Sequence, residues 1–192
     1  MVAGGALTLA VVGAVALERA AELWLSRRNT AWARARGARE VGRGSYRVMA
    51  SFHSFFLLAC AVEPWLPGPA FSPVLATVCI MALLGAQALR WWAVFTLGRR
   101  WTTRVIVFPD AEPVTGGPYR WLRHPNYVAV IVEMIALPMV HVGWLLALLA
   151  SLGNALLLRT RIAMEERALG TRWAEAFATV PRLVPGGSHA VT

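Results

Sequence analysis

Lysine is missing from this chain; nineteen arginines supply all the side-chain positive charge of a formal net charge of +9. Charge of either sign is scarce, at 15% of 192 residues, against about 25% in a soluble domain. So basic a chain first suggests nucleic-acid binding. Its arginines, however, cluster between apolar runs instead of on a soluble face, so they read as topology signals and lipid-headgroup contacts, and no nucleic-acid partner is expected. Cysteine is nearly absent. Cys60 and Cys79 lie in separate apolar runs, with no partner at metal-ligand spacing, and read as small buried apolar side chains; no metal is expected. No glycine-rich turn follows a strand, which excludes a soluble dinucleotide-binding Rossmann fold. The N-terminus lacks a basic n-region and a small-residue cleavage site, so no removable signal peptide is expected. There is no internal repeat.

Apolar sequence is what abounds: 57% of residues are hydrophobic and mean hydropathy is +0.53. The expectation is an all-α integral membrane protein forming one domain, with five transmembrane helices. The spans fall at 2–25, 48–66 and 73–97, with a helical hairpin over 126–163 that turns at 141-HVG-143. A span needs about 20 residues, so one arm of the hairpin is shortened. The segments 26–47, 98–125 and 159 onward hold nearly all the arginines, and five spans put all three on one side. The opposite side has the N-terminus, 64-PWLPGPAFS-72 and the 141–143 turn, none with Lys or Arg. The positive-inside rule then places the N-terminus outside and the C-terminus in the cytoplasm.

Between the spans, 26–46 is basic with scattered apolar residues and is expected in the headgroup region. The run 104-RVIVF-108 is β-branched and reads as extended, and 109-PDAEP-113 as a turn. In 163-AMEERALGTRWAEAF-177, Leu169, Trp173 and Phe177 share one helical face, which suits an amphipathic helix docked on the membrane or capping a site. The tail from 185 reads as disordered.

Chemistry concentrates in 117-GPYRWLRHPNYV-128. Gly116, Gly117 and Pro118 permit a sharp turn, and Pro125 keeps His124 out of helical backbone and suits the first position of the next helix. That helix N-terminus would offer N–H groups to a carboxylate or phosphate. Taken singly, Tyr119, Trp121 and Tyr127 read as interfacial aromatics, and Arg120 and Arg123 as inside-positive charges. In 159-RTRIAMEER-167, Arg161 and Glu165 are i, i+4, while Glu165 and Glu166 point about 100° apart, so one can face inward and the other outward. Glu18, Glu22 and Glu133 lie within spans, where an ionisable group needs a partner from another helix or faces a cavity.

Four motifs in order, 117-GPYR-120, 123-RHPNY-127, 161-RIAMEERAL-169 and 180-VPRLVP-185, resemble the isoprenylcysteine carboxyl methyltransferase family over about 97–186. Gly170, directly after Leu169, departs from members that carry a Phe-Gly pair further on. The stretches 22-ELWLSRRN-29, 41-VGRGSYRVM-49 and 97-LGRRWTTRVIV-107 look like bacterial members associated with type III polyketide synthases, which O-methylate alkylpyrones or alkylresorcinols. The resemblance implies S-adenosyl-L-methionine in a cytoplasmic lobe over 98–186, beyond three N-terminal spans in 1–97. The implied cofactor-binding residues are Pro118, Tyr119, Arg123, His124, Pro125, Tyr127 and Glu165, with Trp121 a further aromatic for the adenine or sulfonium. Arg161 would orient the acceptor oxygen, and Glu165 or Glu166 would take its proton. Trp101, Arg104 and Glu133 are candidates on the side of a lipophilic substrate, which would enter from the membrane lipids. Prenylcysteine carboxylates and phospholipid amines are further acceptor classes. An NADPH-dependent reductase related to sterol reductases is the rival enzyme, and a non-catalytic scaffold the rival outside enzymes.

Overall fold

In hydrocarbon a backbone must satisfy its own hydrogen bonds, and a helix does so within one segment. A computed structural model describes residues 2–108 and 111–183, and five long helices hold most of them. They are α1 (Val2–Arg34), α2 (Arg43–Val62), α3 (Pro73–Leu97), α4 (Pro125–Met139) and α5 (Trp144–Ala176). A small antiparallel clip pairs β1 (Arg39–Val41) with β2 (Val105–Val107), Glu40 lying opposite Ile106. The protein is thus an all-α membrane protein with almost no sheet. α2, α3 and α5 are long and apolar enough to cross a membrane. α4 is the short hairpin arm, at 15 residues, and α1 carries Glu18, Arg19 and Glu22 in its middle.

The third span matches its expected limits because its signals are local: Ser72 Oγ accepts the Leu75 N–H at 3.4 Å and Pro73 opens the helix. Two expectations shift. α1 continues through the basic segment to Arg34, and α2 begins at Arg43, ahead of 48. The reason lies in one face of 26–34: Ser26, Asn29, Thr30 and Ala33 are buried, so this stretch of helix packs against protein. The expected extended run at 104–108 is β2; its partner β1 was not foreseen. The disordered reading of the tail falls on residues outside the described range, as do part of the 109–113 turn and the end of 180–185.

Lipid is as apolar as a leucine, so helices associate in a membrane by close packing and polar contacts. Buried alanines serve that here: Ala86 and Ala93 on α3, Ala129 and Ala136 on α4, Ala147 and Ala150 on α5. Around them Phe56, Leu83, Met134, Leu137 and Val140 form the core. Leu58, Val78, Met81, Leu84, Leu152 and Leu156 remain exposed, as suits acyl-chain contact.

Two glycines shape the arginine-rich end. Gly117 has φ +55°, and a Cβ there would come 2.3 Å from Thr96 Oγ1, so the 117–120 turn seats directly on α3. Gly170 has φ 77° and ψ −169°, which kinks α5 and swings its last turns inward.

Candidate active site

Beyond Leu158 the apolar half of α5 gives way to charge. Arg161 and Glu165, one turn apart, face the same way and share Tyr127 from the first turn of α4. Arg161 Nε donates to Tyr127 Oη at 3.0 Å, and Tyr127 Oη in turn donates to Glu165 Oε2. Arg161 Nη2 also donates to the Thr103 carbonyl at 2.6 Å. The chain of donors runs from the guanidinium to the carboxylate, leaving Glu165 the terminal acceptor.

Glu166 points elsewhere. His124 Nε2 donates to Glu166 Oε1 at 3.1 Å, and Arg182 embraces the carboxylate from Nε and Nη2 at 3.0 and 2.7 Å. Burial opposes ionisation of Glu166, but the hydrogen bonds from His124 and Arg182 outweigh it and hold its pKa down at about 2. The same strut ties down the chain end. Arg123 Nε donates to the Val180 carbonyl at 2.5 Å, while the Arg123 and His124 amides donate to the Pro181 and Arg182 carbonyls at 2.9 and 3.2 Å. Three motifs separated in sequence thereby meet: 123-RHPNY-127, 161-RIAMEERAL-169 and 180-VPR-182.

Above this junction the kinked end of α5 lays Trp173 and Phe177 over the loops. Their rings lie 4.7 Å apart, and Trp173 stands 5.7 Å from the His124 ring, which itself stacks on Tyr127 at 5.2 Å. Tyr119 packs on Phe177 and Ala93; burial, then the nearby Glu165 charge, pushes its hydroxyl well above the ordinary phenol pKa, so it stays a neutral donor.

These groups line one cavity of about 830 Å³, within the range of small-molecule sites. Of the candidates, Arg161, Glu165, Tyr119, Arg123, His124, Pro125, Tyr127, Trp101 and Arg104 line it. Arg104 does so while bonded to Glu40 at 2.5 Å and lying 4.2 Å from the Tyr46 ring centre. Glu166, Pro118 and Glu133 do not line it. Glu166 is held in the strut, Pro118 is buried within its turn, and Glu133 is paired with Arg90 at 2.6 Å. Trp121 is an exposed interfacial aromatic with Arg120 stacked on it at 3.6 Å.

Sequence reasoning missed several lining residues. Asn126 sits between the expected Pro125 and Tyr127, and its buried Oδ1 has no partner among the described residues. Thr103 joins α1 through Ser26 Oγ at 2.8 Å, and Asn29 Nδ2 holds the Trp101 carbonyl at 2.7 Å. A β-clip closing on a helix face leaves no periodic sequence signal. Arg90 did leave one: it is a lone arginine in an apolar span, and such residues need partners.

The fold is thus a membrane-type helical bundle with a cavity running inward from its arginine-rich end. Residues 76–171, half of the chain, match the isoprenylcysteine carboxyl methyltransferase (ICMT) family. The chain belongs to this family, and membership implies a membrane methyltransferase acting on a lipophilic substrate. It is similar to uncharacterized protein YpbQ of Bacillus subtilis (strain 168), 33% identical over 159 residues, which covers 83% of this chain and 94% of that one. It is also similar to an uncharacterized protein of Haemophilus influenzae, 25% identical over 136 residues, covering 70% and 78% of the two chains.

Proposed function

We propose that this protein O-methylates a phenolic or enolic hydroxyl of a long-chain alkylresorcinol or alkylpyrone, with S-adenosyl-L-methionine as donor. The observation carrying the reading is the directed chain Arg161–Tyr127–Glu165 on a cavity wall. The residues at the arginine-rich end fit the donor's chemistry. Tyr119 and Trp173 offer faces for an adenine or a sulfonium cation. Arg123 suits the carboxylate of an amino acid, and Glu165 suits hydroxyls or an amino group.

The chemistry this cofactor supplies is an electrophilic methyl group on a sulfonium. The chain's own residues supply the rest. Arg161, anchored on Tyr127 and the Thr103 carbonyl, orients the acceptor oxygen and favours its anionic form. Glu165 takes the proton that the hydroxyl releases as the oxygen–methyl bond forms. Glu166 acts at one remove, holding His124 and the 180–182 segment in place. A carboxylate acceptor, as in a prenylcysteine, would need no base, so a built proton acceptor favours a hydroxyl.

The resemblance of 22–29, 41–49 and 97–107 to members linked with type III polyketide synthases supports the acceptor class and such an enzyme as a partner. The arginine-rich end is assigned to the cytoplasm, with the N-terminus across an inner membrane. The test is transfer of a labelled methyl from S-adenosylmethionine to 5-pentadecylresorcinol by the detergent-purified protein. Labelled methyl ether is expected; turnover only of a prenylcysteine or a phospholipid amine would move the assignment to that acceptor.

A further inference from the structure

Tyr46 stands in the first turn of α2, at a level where tyrosines commonly mark a membrane interface. Its surroundings differ from those of an interfacial aromatic. Val48, Phe55, Leu58 and Val62, all exposed, mark the lipid side of α2. Tyr46, Met49, Ala50, His53 and Leu57, at helical spacing, line the cavity from the opposite side. Tyr46 thus begins the cavity face of α2 at the arginine-rich end. Its ring is pinned. The Arg104 guanidinium lies 4.2 Å from the ring centre, and Arg104 Nη1 donates to Glu40 Oε1 at 2.5 Å, a carboxylate also paired with Arg34 and Arg43. Tyr46 Oη has no hydrogen-bond partner among the described residues, yet it keeps accessible surface, unlike the unpaired polar atoms buried within the bundle.

Two contacts give its level against α5. A Cβ on Gly42 would meet Met164 Sδ at 2.1 Å, and one on Gly153 would meet Phe52 Cε2 at 2.8 Å. The two helices therefore run antiparallel, ten residues of α2 against eleven of α5 between these contacts. At equal rise per residue, Tyr46 falls level with residues 160–161. Arg161 lines the same cavity, and the Tyr46 phenol lies within Coulombic reach of its guanidinium. Tyr46 and Arg161 thus offer O–H and N–H donors to one space from two helices. An oxygen that has released its proton only accepts, and its several lone pairs let it accept from both.

We infer that Tyr46 binds the acceptor: its hydroxyl donates to the reacting oxygen from the α2 side while Arg161 holds that oxygen from α5, and Arg104 is the positioning residue that fixes the Tyr46 ring. This rests on the hydroxyl acceptor proposed above. The acceptor's proton passes to Glu165, the oxygen's electron pair forms the bond to the methyl carbon, and the methyl–sulfur bond breaks; Tyr46 keeps its own proton throughout. Two preorganised donors stabilise the charge that the oxygen carries as its proton leaves.

The test measures kcat and KM for labelled-methyl transfer to 5-pentadecylresorcinol in wild type, Tyr46→Phe, Arg104→Met and the double variant, with S-adenosylhomocysteine affinity and a melting curve on each. Tyr46→Phe removes only the hydroxyl and leaves the ring for Arg104. It is expected to lower kcat about tenfold or more, the scale of a hydrogen bond to a charged group. KM and S-adenosylhomocysteine affinity should stay within about twofold of wild type, since the bond strengthens only as charge develops on the oxygen. Arg104→Met should lower kcat in the wild-type background and change it by less than about twofold in Tyr46→Phe, because the two act through one hydroxyl. A folded Tyr46→Phe with wild-type kcat, or one whose loss lies in S-adenosylhomocysteine affinity, would overturn the assignment. Equal losses from Arg104→Met in both backgrounds would remove Arg104 as the positioning residue. If Tyr46→Phe does not melt cooperatively, Arg104→Met decides alone: a lowered kcat with S-adenosylhomocysteine affinity kept supports the assignment, and a wild-type kcat overturns it. Binding of S-adenosylhomocysteine by wild type without turnover of the resorcinol would overturn the acceptor class, and the role of Tyr46 with it. No binding at all would overturn the methyltransferase reading itself.

Discussion

The molecule holds two clusters of arginine and glutamate, and they differ in whether they are finished. At the arginine-rich end, Glu166 receives His124 and both faces of Arg182, and the segment that supplies Arg182 also takes the backbone hydrogen bonds of Arg123 and His124. Inside the bundle, Glu22 Oε1 and Arg90 Nε are buried without a hydrogen-bond partner among the described residues. A closed cluster in contact with water fixes geometry. One away from water that lacks partners keeps an uncompensated cost of burial. Between them Arg161, Tyr127 and Glu165 have one face satisfied and the other turned to the cavity.

Breaking the middle group should have the largest effect. Arg161→Ala is expected to lower methyl transfer by about 100-fold or more, the scale of losing a preorganised electrostatic group; a labelled-methyl assay reads it. Full turnover with unchanged S-adenosylhomocysteine affinity would remove Arg161 from the site. The inner cluster comes next. Arg90→Met leaves Glu133 without its nearest cation, and losing one partner of a buried pair costs about 3–5 kcal/mol. The double variant Arg90→Met, Glu133→Leu should recover much of that loss in a detergent melting experiment. Failure to recover would mean the pair is needed for more than charge balance.

The outer strut should respond to acid. The pKa of Glu166 is lowered in the fold to about 2 from an ordinary 4.5. Its stabilising contribution is therefore complete above about pH 4.5 and fades as pH falls towards 2. Glu166→Gln should melt lower than wild type at pH 6, with the gap narrowing as pH drops through that window. A gap that does not change with pH would mean that the strut does not depend on the Glu166 charge. The smallest effect is expected at the kink. Nothing lies within 4 Å of a Cβ on Gly170, so Gly170→Ala meets only backbone strain at φ 77° and ψ −169°, about 1–3 kcal/mol, read as a drop in melting temperature.

Much of this architecture was legible because membranes impose simple rules. The span 73–97, the α4–α5 hairpin and Pro125 as a helix start followed from apolar length and proline chemistry, whereas the single helical face expected for Leu169, Trp173 and Phe177 is broken by the kink at Gly170, beyond which Trp173 and Phe177 pack together. The neighbouring glutamates were expected to diverge; which one turned inward depended on Arg182, far along the chain. Of the β1–β2 clip only β2 was legible, from its β-branched run; the three residues of β1 show no periodicity, and Glu40 anchors that strand through Arg34, Arg43 and Arg104. Glu22 and Glu133 announced that they needed partners. Arg90 left a signal as a lone arginine in an apolar span, but which glutamates it meets, and that His53 lines the same cavity, became visible only once the helices were packed.

The central claim is that the cavity beside Arg161, Tyr127 and Trp173 takes a methyl donor. Its most direct test is a calorimetric titration of the detergent-purified protein with S-adenosylhomocysteine and, separately, with NADPH. The account predicts saturable micromolar binding of S-adenosylhomocysteine and none of NADPH. Binding of NADPH without S-adenosylhomocysteine would contradict it and make the cavity that of a reductase.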